Sequence, residues 1–289
     1  MPPSQRKIGL PALHSVTPLQ NAEILGTWTA ILLAGERPGG DPLAKQLGAP
    51  SKALIVVGGQ SMLKRVAGTL LAAPEIRRVV ILAQEPEALM TGDAAGLADH
   101  PKVTLARSGA GIAASISAIA GTNTAPFPLL VTTADHALLT TDMLAEFLSA
   151  TGDCDAAIGV GERSVLESRY PGNRRTWLKF PDGHYSGANL FALRNLKVAP
   201  ALMLWEGVEQ DRKRVLRLFS KFGPGLLFRA LTRSITFPRA IERAGKRLSL
   251  RCKPVVLSAP EAAIDVDKLA DLELAEAILG ERLLVAAAE

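Results

Sequence analysis

The chain predicts an α/β fold of Rossmann-like, three-layer α/β/α form, with a mostly parallel sheet between two layers of helices. Three observations carry this. Short apolar runs suited to buried parallel strands recur, at Ala30–Leu33, Arg78–Leu82, Pro128–Thr133 and Ala156–Val160. Helical patterns fall between them. The first run ends abruptly in small residues, Ala34-Gly35, with Gly39-Gly40 shortly after. A length of 289 residues with 48% hydrophobic content suits one large α/β domain or a domain with a substantial insertion.

The elements follow in order. Met1 to Leu25 carries Arg6 and Lys7 without a continuous apolar stretch behind them, so residues 1–26 are expected to be a loosely ordered leader rather than a signal peptide. The domain then spans 27–289, with its first strand at Thr27–Leu33 and a strand at Ala53–Val57. Ser61 to Ala72 places Met62, Val66 and Leu70 on one helical face. Arg78–Leu82 is a buried strand, Pro86–Leu97 a helix, Val103–Leu105 a short strand and Gly111–Ala120 a helix of small residues. Pro128–Thr133 is a major strand, and Thr141–Ala150 a helix with Thr140 or Thr141 as its N-cap. Arg175–Pro181 and Gly187–Leu193 form strands around the turn Pro181-Asp182-Gly183. About 200–250 is a helical insertion, broken at Gly223-Pro224-Gly225 and Phe237-Pro238. Pro254–Leu257 returns to strand, and a last helix begins near Leu269.

Composition removes several function classes. Two cysteines, Cys154 and Cys252, give neither a disulfide framework nor metal-ligand spacing. No apolar run approaches the ~18–20 residues of a membrane span. A cytoplasmic location is expected, extending to the inner membrane surface. Positive charge concentrates in one place: Glu206 to Arg251 holds 12 basic and 4 acidic residues, against +5 for the whole chain. With only 4% aromatic residues, nucleic-acid binding finds no support.

The stretch after the first strand has the chemistry of a phosphate cradle. Small residues let backbone N–H groups approach an anion. Arg37 and Lys52 bring positive charge to the same mouth. No Gly-Lys-Ser/Thr follows at P-loop spacing. Leu33-Ala34-Gly35-x-Arg37, then Lys52-Ala53-Leu54 and Gly58-Gly59-Gln60-Ser61-Met62-Leu63, resembles the opening of MobA-like nucleotidyltransferases, whose fold is GT-A-like. Glu36 and Arg37 come directly after Ala34-Gly35, so the loop differs in shape from the common version, and Ser51 stands where a Pro is usual.

That resemblance implies a reaction and a set of roles. An acceptor phosphate attacks the α-phosphorus of a nucleoside triphosphate and pyrophosphate leaves, so catalysis is charge neutralisation and in-line positioning. Mg²⁺, or Mn²⁺ in its place, is the implied cofactor. Leu33, Ala34, Gly35, Arg37, Lys52, Gly109, Ser115 and Asp135 are the expected nucleotide-binding residues. Arg37, Lys52 and Lys179 are the expected catalytic cations. Asp135, at the end of the Pro128–Thr133 strand, resembles the family's strand-ending metal Asp, although His136 and Ala137 depart from the usual pattern.

The second metal ligand is expected from Ile264-Asp265-Val266-Asp267, where alternation puts Asp265 and Asp267 on one side. Asp267 is preferred over Asp265, and Asp271 is expected to cap the last helix. Gly109 and Ser115 keep a cytidylyltransferase spacing, with Ile112 where an Arg is usual, so CTP is favoured and GTP comes next. Gly187 and Asn189 resemble the acceptor-binding strand, with Arg175 and Lys179 sharing a face beside them. The acceptor is a small phosphorylated sugar, polyol or acid.

The basic insertion has three readings, in order: a lid or dimer element, a helix lying on anionic lipid, and a nucleic-acid contact. Two other readings of the whole chain stand beside the enzyme. One is a non-catalytic nucleotide-binding or membrane-docking protein on the same fold. The other is a GT-A-type glycosyltransferase, which would usually carry an Asp-x-Asp after a central strand; Asp153-Cys154-Asp155 is such a pattern, but it precedes its strand.

Overall fold

The computed structural model describes residues 28–36, 39–109, 111–173, 175–210 and 224–286. The leader over 1–26, Arg37 and the charged run 211–223 lie outside the described residues.

The central strand β1 (Trp28–Leu33) is parallel to β4 (Ile76–Ala83) on one side and to β6 (Leu129–Thr133) on the other. β5 (Val103–Arg107) extends the sheet beyond β4. On the other wing, β9 (Gly183–Leu193) runs antiparallel between β6 and β7 (Ala156–Glu162). β10 (Cys252–Leu257) closes that edge, parallel to β7. The sheet order is β10-β7-β9-β6-β1-β4-β5, with β8 (Leu178–Phe180) paired to β9. The chain builds from β1 outward through β4 and β5, then crosses to β6. The crevice between β1 and β6 is therefore the switch point at which such sheets hold ligands.

Alternation explains the layers. Ala30 and Leu32 of β1 face one side, with Leu63, Val66 and Leu70 of α2 (Met62–Ala72) and Leu144 and Phe147 of α4 (Thr141–Ala150). Ile31 faces the other, with Val80, Val131, Ile116 of α3 (Ile112–Ile119) and Leu202 of α6 (Ala199–Gln210). Ser61 and Thr140 cap their helices by accepting from Lys64 N and Met143 N. A second apolar cluster joins α1 (Pro42–Leu47) and α9 (Leu269–Ala286) to the small hairpin of β2 (Val56–Val57) and β3 (Gln60–Ser61).

Several expectations are corrected. The apolar run 53–57 is not a strand of the main sheet. Lys52–Leu54 is a 3-10 turn, and β2 folds back on β3 through Gly58 and Gly59, whose φ of 57° and 80° only glycine adopts easily. Pro86–Leu97 is two 3-10 turns, Pro86–Leu89 and Gly92–Leu97. Arg163–Arg169 adds a helix, α5, that had no counterpart in the sequence reading. The strand expected at 175–181 shortens to β8, while β9 starts four residues earlier than expected, at Gly183. In the insertion, α7 (Pro224–Leu231) and α8 (Phe237–Arg247) follow the predicted breaks. Among the described residues, no helix is long and apolar enough to cross a membrane.

Candidate active site

The loop leaving β1 is shaped by two side chains that sequence reasoning did not place. Ala34 N still bonds to Leu82 O, so the sheet holds the chain up to that point. Beyond it, Gln84 clamps the backbone of Glu36, accepting from Glu36 N at 2.9 Å and donating to Glu36 O at 2.9 Å. Gly35 leaves room for this clamp: a Cβ there would lie 2.8 Å from Gln84 Oε1 and push the amide aside. Glu36 then accepts from Lys52 N at 3.1 Å. The residue that made this loop look unusual in sequence thus anchors the segment carrying the key lysine. The departure at position 36 was the available signal, but its partner came from a distant part of the chain.

Ser51, in the place of the usual Pro, caps the Lys52–Leu54 turn by accepting from Ala53 N. Lys52 emerges half-buried and its Nζ lies 2.6 Å from Asp135 Oδ2 and 2.5 Å from Asp267 Oδ1. Burial opposes the ammonium, but Asp135 and Asp267 outweigh it and hold the lysine above its ordinary pKa. Asp135 is oriented by Thr133, whose Oγ1 donates to Asp135 Oδ1 at 2.5 Å. Val266 N donates to Asp135 O at 3.0 Å, stitching the loop after β10 to the loop after β6. Asp271 accepts from Asp267 N and Lys268 N and so caps α9, as expected.

Two carboxylates converging on one cation fit a hard divalent ion. Mg²⁺ takes one or two protein carboxylates and completes its shell with phosphate and water oxygens. Among the described residues, no group of three or more His, Cys, Asp or Glu gathers for a metal. Asp135 and Asp267 could thus hold such an ion with water or substrate oxygens completing its shell.

Asp265 has different partners from Asp267. Arg175 donates to its Oδ1 at 2.5 Å and to its carbonyl at 3.3 Å, and Asn189 Nδ2 lies 3.4 Å from Oδ2. This corrects the expected sharing of a face by Arg175 and Lys179. Arg175 lies ahead of β8, so strand alternation does not reach it, and its side chain is only 8% exposed. Lys179 is exposed on β8, opposite His184. Among the described residues, no hydrogen bond or ion pair joins Lys179 to the Lys52 cluster. Asn189 sits at φ 50°, where the β7–β9 register breaks, and Gly187 faces Val160 with open space where a side chain would stand. His136 is buried behind this network. Burial drives its pKa down to about 4; Asp265 opposes that shift and Arg175 adds to it, so the ring is neutral at pH 7.

Gly109 and Ser115 act on each other. Ser115 is buried, accepts from Gly109 N at 2.8 Å and donates to Gly111 O at 2.5 Å, which fixes the loop between β5 and α3. The Asp153-Cys154-Asp155 pattern is structural. Asp155 is buried and accepts from Arg251 N and Asn195 Nδ2, while Asp153 pairs with Arg251 at the surface. A cavity of about 470 Å³ lined by Arg169, Asn173, Lys268 and Asp271 flanks the cluster, but Lys52 and Asp135 do not line it.

The mostly parallel sheet thus carries an ammonium and two carboxylates at its switch point, where such sheets hold ligands. The chain belongs to the MobA-like NTP transferase family, whose profile matches residues 30–219. It is similar to a solved structure from Thermus thermophilus described as a hypothetical transferase, with 26% identity, a TM-score of 0.70, and coverage of 85% of this chain and 99% of that one. The fold is shared with a 4-diphosphocytidyl-2C-methyl-D-erythritol synthase of Anaerococcus prevotii, at 12% identity and TM-score 0.54, covering 88% of this chain and 99% of that one. It is also shared with a CMP:2-keto-3-deoxy-manno-octonic acid synthetase solved with CTP, at 12% identity and TM-score 0.54, covering 89% and 100%. A search of curated proteins gave no match. Asp265 and Asp267 lie beyond the residues matched by the family profile.

Proposed function

We propose that this chain is a Mg²⁺-dependent nucleotidyltransferase that moves an NMP group from an NTP to a small phosphorylated sugar, polyol or acid. CTP is the favoured donor and GTP the next. The observation that supports this best is the convergence of Asp135 and Asp267 on the Lys52 ammonium beside the Gly35 loop. In this reading the backbone around Gly35 and the Lys52 ammonium hold the triphosphate, and Arg37 joins them. Asp135 and Asp267 hold the ion, which supplies charge neutralisation when bound. An acceptor phosphate oxygen forms a bond to the α-phosphorus, the bond to the bridging oxygen breaks, and pyrophosphate carries the electron pair away.

We place the acceptor against Gly187 and Asn189, with Arg175 orienting Asn189 through Asp265 and Lys179 reaching from the neighbouring strand. The preference for CTP rests on the Gly109–Ser115 spacing. We assign the insertion's basic face to contact with an anionic membrane surface or with a second copy, which suits a cytoplasmic enzyme peripheral to the inner membrane.

The test is pyrophosphate release with Mg²⁺, each of the four NTPs, and a panel of phosphorylated sugars, polyols and acids. Release with one NTP and one acceptor is expected, with Asp135→Ala lowering turnover by about 10³-fold while leaving the melting transition in place. Silence across the panel, with NTP binding still seen by thermal shift, favours the non-catalytic binding reading.

A further inference from the structure

We propose that Lys52 is the resident cation of the two-carboxylate seat, and that a divalent ion enters this seat only together with a triphosphate, which takes over the ammonium. The inference rests on the reading of Asp135 and Asp267 as the holders of the ion. Nζ lies within 2.6 Å of one carboxylate and 2.5 Å of the other. A divalent ion binding the same two oxygens would have to share their midst with a like charge, so one of the two cations must leave.

The ammonium has one favourable destination. Its backbone is pinned, because Glu36 holds Lys52 N and Gln84 holds Glu36. The swing is therefore that of a side chain about a fixed root, and the Glu36 contact ties that root to the loop leaving β1, whose small residues suit an anion. Without an anion there, the displaced ammonium loses both partners in a half-buried place, which is costly. With a triphosphate there, it gains charge-assisted hydrogen bonds in exchange. Ion and nucleotide thus bind with positive coupling, and each raises the affinity for the other by the same factor.

This makes Lys52 a gatekeeper as well as a phosphate ligand. Removing its charge improves the seat for a bare ion and weakens the grip on the nucleotide.

The experiment measures Mn²⁺ affinity of the full chain by electron paramagnetic resonance, without and with CTP, for wild type, Lys52→Met and Lys52→Arg. Wild type is expected to bind Mn²⁺ at least tenfold more tightly with CTP. Lys52→Met is expected to bind Mn²⁺ alone at least tenfold more tightly than wild type, with the gain from CTP reduced. Lys52→Arg keeps the charge and is expected to keep bare Mn²⁺ weak. Equal wild-type affinity with and without CTP overturns the proposal and needs no variant. So does a folded Lys52→Met protein that binds bare Mn²⁺ no better than wild type. If Asp135→Asn and Asp267→Asn leave Mn²⁺–CTP binding unchanged, the site reading itself fails and the proposal goes with it.

Discussion

Asp265 and Asp267 are two residues apart, and alternation alone places them together. The partners separate them. Asp267 is 55% exposed at its side chain and meets Lys52, whereas Asp265 is the counter-ion of a guanidinium that is only 8% exposed. Their variants should therefore fail differently. Asp267→Asn is expected to lower turnover about 10²-fold with little change in melting temperature, since an exposed carboxylate contributes little to stability. Asp265→Asn is expected to cost about 3 kcal/mol of stability by leaving Arg175 without its partner, and to raise the acceptor KM more than it lowers kcat. Urea unfolding and steady-state kinetics on the two variants check this, and identical signatures would merge their roles. At this scale the sequence was legible where a residue's position is set by its own strand. Asp135 follows an apolar run and could be read directly. Glu36, Gln84 and Arg175 could not, because their partners at Lys52, Glu36 and Asp265 come from distant parts of the chain.

Among the elements, β1 and β6 were legible because a strand buried on both faces must be an unbroken apolar run. The run 53–57 has the same composition but serves a local hairpin, and short apolar runs do not reveal which sheet they join. Pro86–Leu97 looked helical by composition, but Gly92 at φ 56° interrupts it. The loop from β1 allows a direct test of how tightly an element can be set by one contact. Gly35→Ala puts a methyl group against Gln84 Oε1 and is expected to cut nucleotide affinity about tenfold by loosening the Glu36 clamp. Gln84→Ala relieves the crowding, so the double variant should be less impaired than the sum of the singles. Calorimetric titration with CTP reads the cycle, and strict additivity would mean that Gln84 does not set the loop.

At the scale of the molecule, the insertion is seated by aromatic packing. Phe237 of α8 stacks on Tyr185 at 4.6 Å and tilts against Phe180 at 5.1 Å, and Asp182 accepts from Phe237 N. This packing leaves Arg239, Arg243 and Arg247 exposed on α8, and Arg229, Phe228 and Leu231 of the adjoining α7 are exposed as well. Such a face is expected to bring the protein down with vesicles containing acidic lipid at low salt, and to release it as salt rises. Arg239→Glu with Arg243→Glu should abolish sedimentation. If the wild type ignores vesicles but scatters light as a dimer that this pair of changes splits, the face belongs to a second copy.

The stitch from Val266 N to Asp135 O has a consequence for how the protein comes into being. The seat at Lys52 is assembled from residues on either side of nearly the whole sheet in chain order. A nascent chain that has not yet emerged through β10 carries the lysine with only one of its two carboxylates. In the reading proposed above, the centre is complete only once β10 and the loop carrying Asp267 have docked.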